Sequence, residues 1–275
     1  MHKVALFNGK FVSPDDANVK ALSAAALYGR GVFTTIAVYG GETFLFDKHL
    51  KRLTINADAI GLTLSENQFE HLEQQFRELI EKNSVFNGRA RITVFDGSGS
   101  GIWSDNADGR LETLVITSDQ RKLSGDLNLT VSDFTVNSRS PLAGVKSCNY
   151  LDNLLAFEDS GKHGFDEAIR LNERGEVTSA CMSNVFWLKD DRLYTPSLST
   201  GCLSGTTREY ILENVSCDEV CEGLDDLLSA DAVFITSAGI GIRAVRSIDY
   251  RHFEQVEHEI VHLLPPKTKT RMSAT

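Results

Sequence analysis

Lys146 stands in the run Gly144-Val145-Lys146-Ser147-Cys148-Asn149-Tyr150-Leu151, four places before a tyrosine. A lysine amine held partly neutral and aimed, as burial beside other polar groups can do, attacks the carbon of an aldehyde. Taken alone, the same lysine is equally a solvated side chain before a helix. A second chemistry is spelled out near the end, in His258-Glu259-Ile260-Val261-His262. Two histidines one helical turn apart with a glutamate beside the first form the zinc-peptidase pattern. Pro265-Pro266 stops that helix at once and no His or Glu follows to supply a third ligand. The polar face of a terminal helix is therefore the preferred reading, and no metal is expected.

The elements that must aim these groups alternate along the chain. Val4 to Val12 reads as a hairpin around Asn8-Gly9, whose residues suit the positive φ angles of a type I′ turn. Phe69, Leu72, Phe76, Leu79 and Ile80 recur at helical spacing, predicting an amphipathic helix over residues 65–82. Arg89 to Phe95 and Leu111 to Thr117 read as strands flanking the glycine-rich loop Gly97 to Gly101. The polar stretch 118–125 is the best linker, predicting one domain over 1–118, a linker over 119–126 and a second domain over 127–275. Beyond it come a strand to about Val136, a helix opened by Asn149 and a strand from Glu167 to Leu171. A returning strand from Glu176 to Leu188, a turn at Asp190-Asp191 and a helix opened by Gly205-Thr206-Thr207 follow.

Composition narrows the class. At 275 residues the chain can bury one large or two smaller cores. A net charge of −10 argues against nucleic acid or a membrane surface as partner. No apolar run is long enough to span a bilayer, and the opening Met1-His2-Lys3-Val4-Ala5 is not a signal peptide. Five cysteines without framework spacing fit reduced thiols, so a cytoplasmic protein is expected.

Several segments, in order, resemble those of the class IV aminotransferase family. These are the Lys146 run with Ala143-Gly144 before it, Tyr28-Gly29-Arg30-Gly31-Val32-Phe33, and the His-x-x-Arg-Leu segment within Phe46 to Leu53. Ser183-Asn184-Val185-Phe186-Trp187, Leu203-Ser204-Gly205-Thr206-Thr207-Arg208 and Phe234-Ile235-Thr236-Ser237-Ala238-Gly239 complete the set. Each is weak alone; together they cover residues 3 to about 248. The resemblance implies an α/β (α+β) two-domain protein of fold type IV, like D-amino acid aminotransferase, with pyridoxal 5′-phosphate between the domains. It also implies a homodimer.

Roles follow from the resemblance. Lys146 would bind the cofactor covalently and move protons. Arg52 and the helix opened by Gly205, Thr206 and Thr207 would hold the phosphate, because a helix N-terminus and a guanidinium fork suit a dianion. Thr206 could instead be an ordinary N-cap. Tyr150 would donate to the cofactor's phenolic oxygen, Leu203 would pack on the pyridine face, and Asn184, Ser237 and Ala238 would complete the site. Tyr150 and Leu203 could also be plain core residues. Ser179 takes the place at which most members carry a glutamate paired to the protonated ring nitrogen. A neutral serine there weakens the ring as an electron sink. Glu176 does not substitute, because on a strand positions three apart face opposite sides.

Where aminotransferases usually carry glutamate after Phe33, this chain has Thr34-Thr35 and is similar to the 4-amino-4-deoxychorismate lyase branch. Gly239-Ile240-Gly241-Ile242-Arg243 also resembles that branch's ending, with Ala244 in place of a proline, and Asp96 replaces an arginine before Gly97-Ser98-Gly99. The alternative is an aminotransferase for D-amino or branched-chain amino acids. Either substrate is a small anionic amino-carboxylate, which arginines must hold in an acidic protein. Arg89 and Arg91, alternating on one strand, lead, with Arg30 and Arg243 behind them and Tyr28, Phe33 and Thr34 from the early signature.

Overall fold

A computed structural model describes residues 1–64, 71–99, 103, 110–121, 125–254 and 256–264. Two sheets divide the chain. The first contains β1 (Ala5–Phe7), β2 (Lys10–Val12), β3 (Gly31–Tyr39), β4 (Glu42–Thr43), β5 (Gly88–Asp96) and β6 (Leu111–Asp119). Its order is β2-β1-β6-β5-β3-β4, with every pairing antiparallel. Asn8 (φ 50°) and Gly9 (φ 75°) make the tight turn of the first hairpin. The short α1 (Ala24–Tyr28) precedes β3; α2 (Phe46–Ala59) and α3 (Leu72–Lys82) cover one face of the sheet. Leu53, Phe76, Leu79, Ile36, Ile92 and Val115 interlock there and exclude water. The first part of the helix predicted over 65–82, including Phe69, lies outside the described residues, as does part of the glycine-rich loop.

Strand alternation on β5 decides which way the arginines face. Ala90 and Ile92 enter the helix-covered core, so Arg89 and Arg91 project to the opposite face, toward the second half of the chain.

The second sheet contains β7 (Leu127–Val131), β8 (Glu167–Leu171), β9 (Val177–Ala180), β10 (Asn184–Lys189), β11 (Arg192–Pro196), β12 (Cys217–Val220), β13 (Ala232–Ser237) and β14 (Gly241–Ile248). Its order is β12-β11-β10-β13-β14-β7-β8-β9, and β15 (Arg251–His252) pairs with β14. Trp187, Leu129, Ile169, Val233 and Ile235 form its core, and the indole nitrogen of Trp187 is satisfied by Asp226 at 3.1 Å. The helices α4 (Leu151–Lys162), α5 (Thr206–Asn214) and α6 (Leu224–Leu228) belong to this half.

Three boundaries differ from the sequence reading. The strand expected to reach Val136 ends at Val131, because the Ser132 side chain accepts the Phe134 N–H in a local turn. The strand expected from Glu176 to Leu188 is two strands: β9 pairs with β8, whereas β10 pairs with β11 and β13. Asn149 does not open the fourth helix. Its side chain donates to the Gly29 carbonyl, and α4 begins at Leu151.

The two halves are stitched together at the segment that carries Lys146. Val32 and Ser147 form an antiparallel bridge; the Phe33 N–H donates to the Lys146 carbonyl at 2.9 Å and the Cys148 N–H to the Gly31 carbonyl at 2.8 Å. Gly31 must be glycine here, since a Cβ would lie 2.7 Å from Phe95 Cβ and 2.9 Å from the Val94 carbonyl oxygen. Lys48 on α2 adds a strap to α5, donating to Glu209 at 2.8 Å and Glu213 at 2.6 Å.

Candidate active site

A cavity of about 640 Å3 opens between the two sheets. The bridge to β3 holds Lys146 on its wall, with Nζ 3.5 Å from the Tyr150 hydroxyl and 4.5 Å from the centre of the Phe33 ring. Phe33 and Tyr150 meet edge to face with ring centres 5.1 Å apart, which fixes the lysine's surroundings. Burial, reinforced by the positive charges of Arg52 and Arg91, brings the Lys146 amine down to about 7. A substantial neutral fraction is therefore present at physiological pH, as addition to an aldehyde requires. Burial pushes the Tyr150 phenol up to about 12, so it remains a proton donor.

The depressed lysine has a consequence for the protein without cofactor. Below about pH 7 Lys146 is charged in folded and unfolded chains alike, and the cost of burying that charge is fully present. Between about 7 and the ordinary value of 10.5 the unfolded chain holds a proton that the folded chain has released, so stability attributable to this group rises with pH. Lys146→Met should therefore raise the melting temperature of the cofactor-free protein most in mildly acidic buffer, with the advantage shrinking toward alkaline pH. Thermal scans across that range check this; an advantage that grows with pH contradicts it.

A second cluster could hold a phosphate. The first turn of α5 starts at Thr206 and Thr207, both buried, and its N-cap Gly205 offers no side chain to the free amides. A Cβ on Gly205 would collide with Asn184 Oδ1 at 2.0 Å, and Asn184 in turn donates to the Leu203 carbonyl at 2.8 Å. Arg52 reaches this turn from α2, donating to the Ser204 carbonyl at 3.2 Å and to Thr34 Oγ1 at 2.8 Å. Burial lowers Arg52 to about 10, which leaves it cationic at neutral pH. No carboxylate among the described residues pairs with it, and its buried Nε has no partner.

His49 ties the cluster together. Its Nδ1 lies 2.7 Å from Thr34 Oγ1 and its Nε2 3.1 Å from Thr206 Oγ1. Burial, with Arg52 and Lys146 nearby, holds the imidazole well below its usual value, so the ring is neutral. Thr34 already accepts from Arg52, which leaves its hydrogen for Nδ1. The Nε2–H then donates to Thr206, whose own hydrogen is free to point at an anion.

The orphaned Arg52 Nε, the uncapped helix start and the half-neutral lysine beside a protonated phenol fit pyridoxal phosphate. Arg52, Thr206 and Thr207 would hold its phosphate, Lys146 its aldehyde carbon and Tyr150 its phenolic oxygen. Leu203, Ser179, Asn184, Ser237 and Ala238 line the same cavity, as does Thr236, whose buried hydroxyl has no partner among the described residues.

The substrate residues read from sequence divide. Phe33, Arg89 and Arg91 reach the cavity. Arg91 lies 3.6 Å over the Phe33 ring and donates Nε to Thr93 at 3.0 Å; Arg89 is steadied by Ser118 at 2.9 Å. The other four are not on its wall. Thr34 faces away from it, as β3 alternation requires, and braces Arg52. Arg30 pairs with the buried Asp96 at 3.3 Å and donates to the Gly61 carbonyl. Tyr28 accepts from the Trp103 indole at 2.7 Å, and Arg243 donates to the Gly125 carbonyl at 2.5 Å.

The sequence reading overlooked His49, Arg121 and Glu167. His49 was visible within the His-x-x-Arg segment. Arg121 lines the cavity from the polar stretch taken as linker, stacked 5.2 Å from the Phe157 ring centre. Glu167 is a buried carboxyl on the cavity wall, pushed up to about 7 by burial despite hydrogen bonds from the Met182 N–H and the Ser183 hydroxyl.

At the far end of the chain, Glu259–His262 is a single 3-10 turn rather than an α-helix. His258 caps it by accepting the Ile260 N–H, and His262 lies 3.8 Å from Glu257. With about three residues per turn, positions four apart do not share a face, so the zinc pattern loses its geometry. Among the described residues no three side chains gather that could hold a metal.

Comparison with known proteins identifies the family. The chain is 30% identical over 261 residues to aminodeoxychorismate lyase of Bacillus subtilis, covering 91% of this chain and 87% of the relative. It is 30% identical over 250 residues to D-alanine aminotransferase of Bacillus licheniformis, covering 89% and 88%. The crystal structure of branched-chain amino acid aminotransferase from Escherichia coli superimposes with a TM-score of 0.86 at 25% identity, covering 95% of this chain and 92% of the other. The model of amino-transferase class IV matches residues 31–248. The chain therefore belongs to the class IV aminotransferase family, enzymes that use pyridoxal 5′-phosphate, with the two-sheet architecture of fold type IV.

Proposed function

We infer that this enzyme is 4-amino-4-deoxychorismate lyase-like, forming 4-aminobenzoate and pyruvate, and that it works as a cytoplasmic homodimer. The observation that carries the reading is the gathering of Arg89, Arg91 and Arg121 on the cavity wall, beyond the arginine committed to phosphate. The lyase substrate bears two carboxylates, one on the ring and one on the enolpyruvyl group, and guanidinium forks suit both. An aliphatic amino acid brings only one. The ring itself would lie against Phe33, Leu154 and Phe157. The meeting of the two sheets at the site supports domains over 1–118 and 127–275. Free cysteines throughout the described chain support a reducing compartment. No helix among the described residues is long and apolar enough to cross a membrane.

When bound, pyridoxal phosphate would supply an electron sink for the ring carbon that carries the substrate's amine. The Lys146 amine would take the proton from that ring carbon. The carbon–oxygen bond to the enolpyruvyl group then breaks, the departing enol becomes pyruvate, and the ring becomes aromatic. Aromatisation supplies driving force, so Ser179 in place of a carboxylate is tolerable for this reaction.

A second reading, transamination of branched-chain or D-amino acids, is favoured by the apolar patch of Leu151, Leu154 and Phe157, which would hold an aliphatic side chain. Lys146 would then carry the proton between the amino acid α-carbon and the cofactor. Product analysis separates the two. With aminodeoxychorismate the holoenzyme should release 4-aminobenzoate and pyruvate in equal amounts, while D-alanine and branched-chain amino acids yield 2-keto acid slowly. Rapid keto-acid formation without 4-aminobenzoate would replace the lyase by the aminotransferase.

A further inference from the structure

We propose that Arg170, standing directly across from Ser179, governs the ring-nitrogen end of the cofactor site and keeps that nitrogen unprotonated. The antiparallel register of β8 and β9 sets Arg170 opposite Ser179. Directly opposed residues project from the same face of the sheet. Both line a smaller cavity that also reaches Lys146 and Tyr150, and Ser179 lines the main cavity as well. Family resemblance puts the position of Ser179 at the ring nitrogen, where relatives carry a carboxylate. Here that place holds Ser179, and Arg170 is its cross-strand neighbour.

Arg170 is 2% exposed, and its fork is held by backbone alone. It donates Nε to the Phe134 carbonyl at 3.1 Å and a terminal nitrogen to the Thr135 carbonyl at 3.2 Å. Among the described residues it has no ion-pair partner. The ionisable groups around it do little to cancel its charge. Burial keeps the Tyr150 phenol and the Cys181 thiol protonated, the latter pushed up to about 11. Asp152 acts from the exposed first turn of α4, where water screens it. Glu167 lines the main cavity beside Ser179, but burial pushes its carboxyl up to about 7 and the Met182 N–H and Ser183 hydroxyl hold its oxygens. A buried positive charge disfavours protonation of a neighbouring base, whereas the Ser179 hydroxyl can donate to the nitrogen's lone pair. The inference rests on the cofactor and not on which reaction the enzyme runs.

It also changes what Ser179→Glu would do. A carboxylate introduced there would meet the buried guanidinium and pair with it, because an unpaired buried Arg170 is the costlier arrangement. The acid would be spent on Arg170 rather than on the ring.

The test is nitrogen-15 NMR of the holoenzyme loaded with pyridoxal phosphate labelled at the ring nitrogen. The natural protein should resonate in the unprotonated pyridine region, far downfield of pyridinium. Ser179→Glu alone should stay there, and only the pair Ser179→Glu with Arg170→Gln should move to the pyridinium region; glutamine can retain a donor for the loop carbonyls. A pyridinium signal from the natural protein, or from Ser179→Glu alone, would overturn the proposal. These two spectra decide the matter even if Arg170→Gln does not fold.

Discussion

Lys146→Ala is expected to lower kcat by about 10^3-fold or more, because it removes both the covalent attachment point and the proton carrier, and positioned acid–base groups alone contribute up to about 10^4-fold. The surroundings of Lys146 make it hard to replace. Burial and two neighbouring guanidiniums bring its amine to about 7, and no other lysine among the described residues lines the main cavity. Steady-state kinetics with saturating cofactor measure the loss. The variant should still bind the cofactor noncovalently, since Arg52, Thr206 and Thr207 are untouched. A Lys146→Ala protein with undiminished turnover would remove Lys146 from the chemistry.

Arg52→Ala is expected to weaken cofactor retention by roughly 30-fold or more, corresponding to about 2 kcal/mol or more for charge-assisted contacts to a phosphate. Removing Arg52 also strips Thr34 of its donor and disturbs the His49–Thr206 relay that orders the first turn of α5. Arg91→Ala should leave cofactor affinity nearly intact and raise KM by about 10-fold or more, since a bidentate or charge-assisted contact to a substrate carboxylate is lost. Equilibrium cofactor titration and substrate kinetics on both variants distinguish the roles. Cofactor loss from Arg91→Ala but not from Arg52→Ala would exchange them.

Much of this site was legible because its parts are local strings. The turn at Asn8-Gly9, the helix start at Thr206 and the run around Lys146 each declare themselves within a few residues. What could not be read is set by partners far along the chain. The break between β9 and β10 is an example: Cys181-Met182-Ser183 is compatible with a strand, but the carboxylate of Glu167 captures the Met182 N–H and the Ser183 hydroxyl. The place of Thr34 off the cavity wall was hidden for a related reason, since its partners His49 and Arg52 come from α2. Arg30 was claimed by the buried Asp96, a pairing no local pattern reveals. Arg170 became meaningful only once the register set it against Ser179.

The most direct test of the account is borohydride reduction of the holoenzyme followed by peptide mapping. Reduction fixes the cofactor wherever it is covalently held, and the account predicts its mass on the peptide containing Lys146 and nowhere else. Label on a different lysine, or none retained by a protein that still turns over substrate, would contradict it.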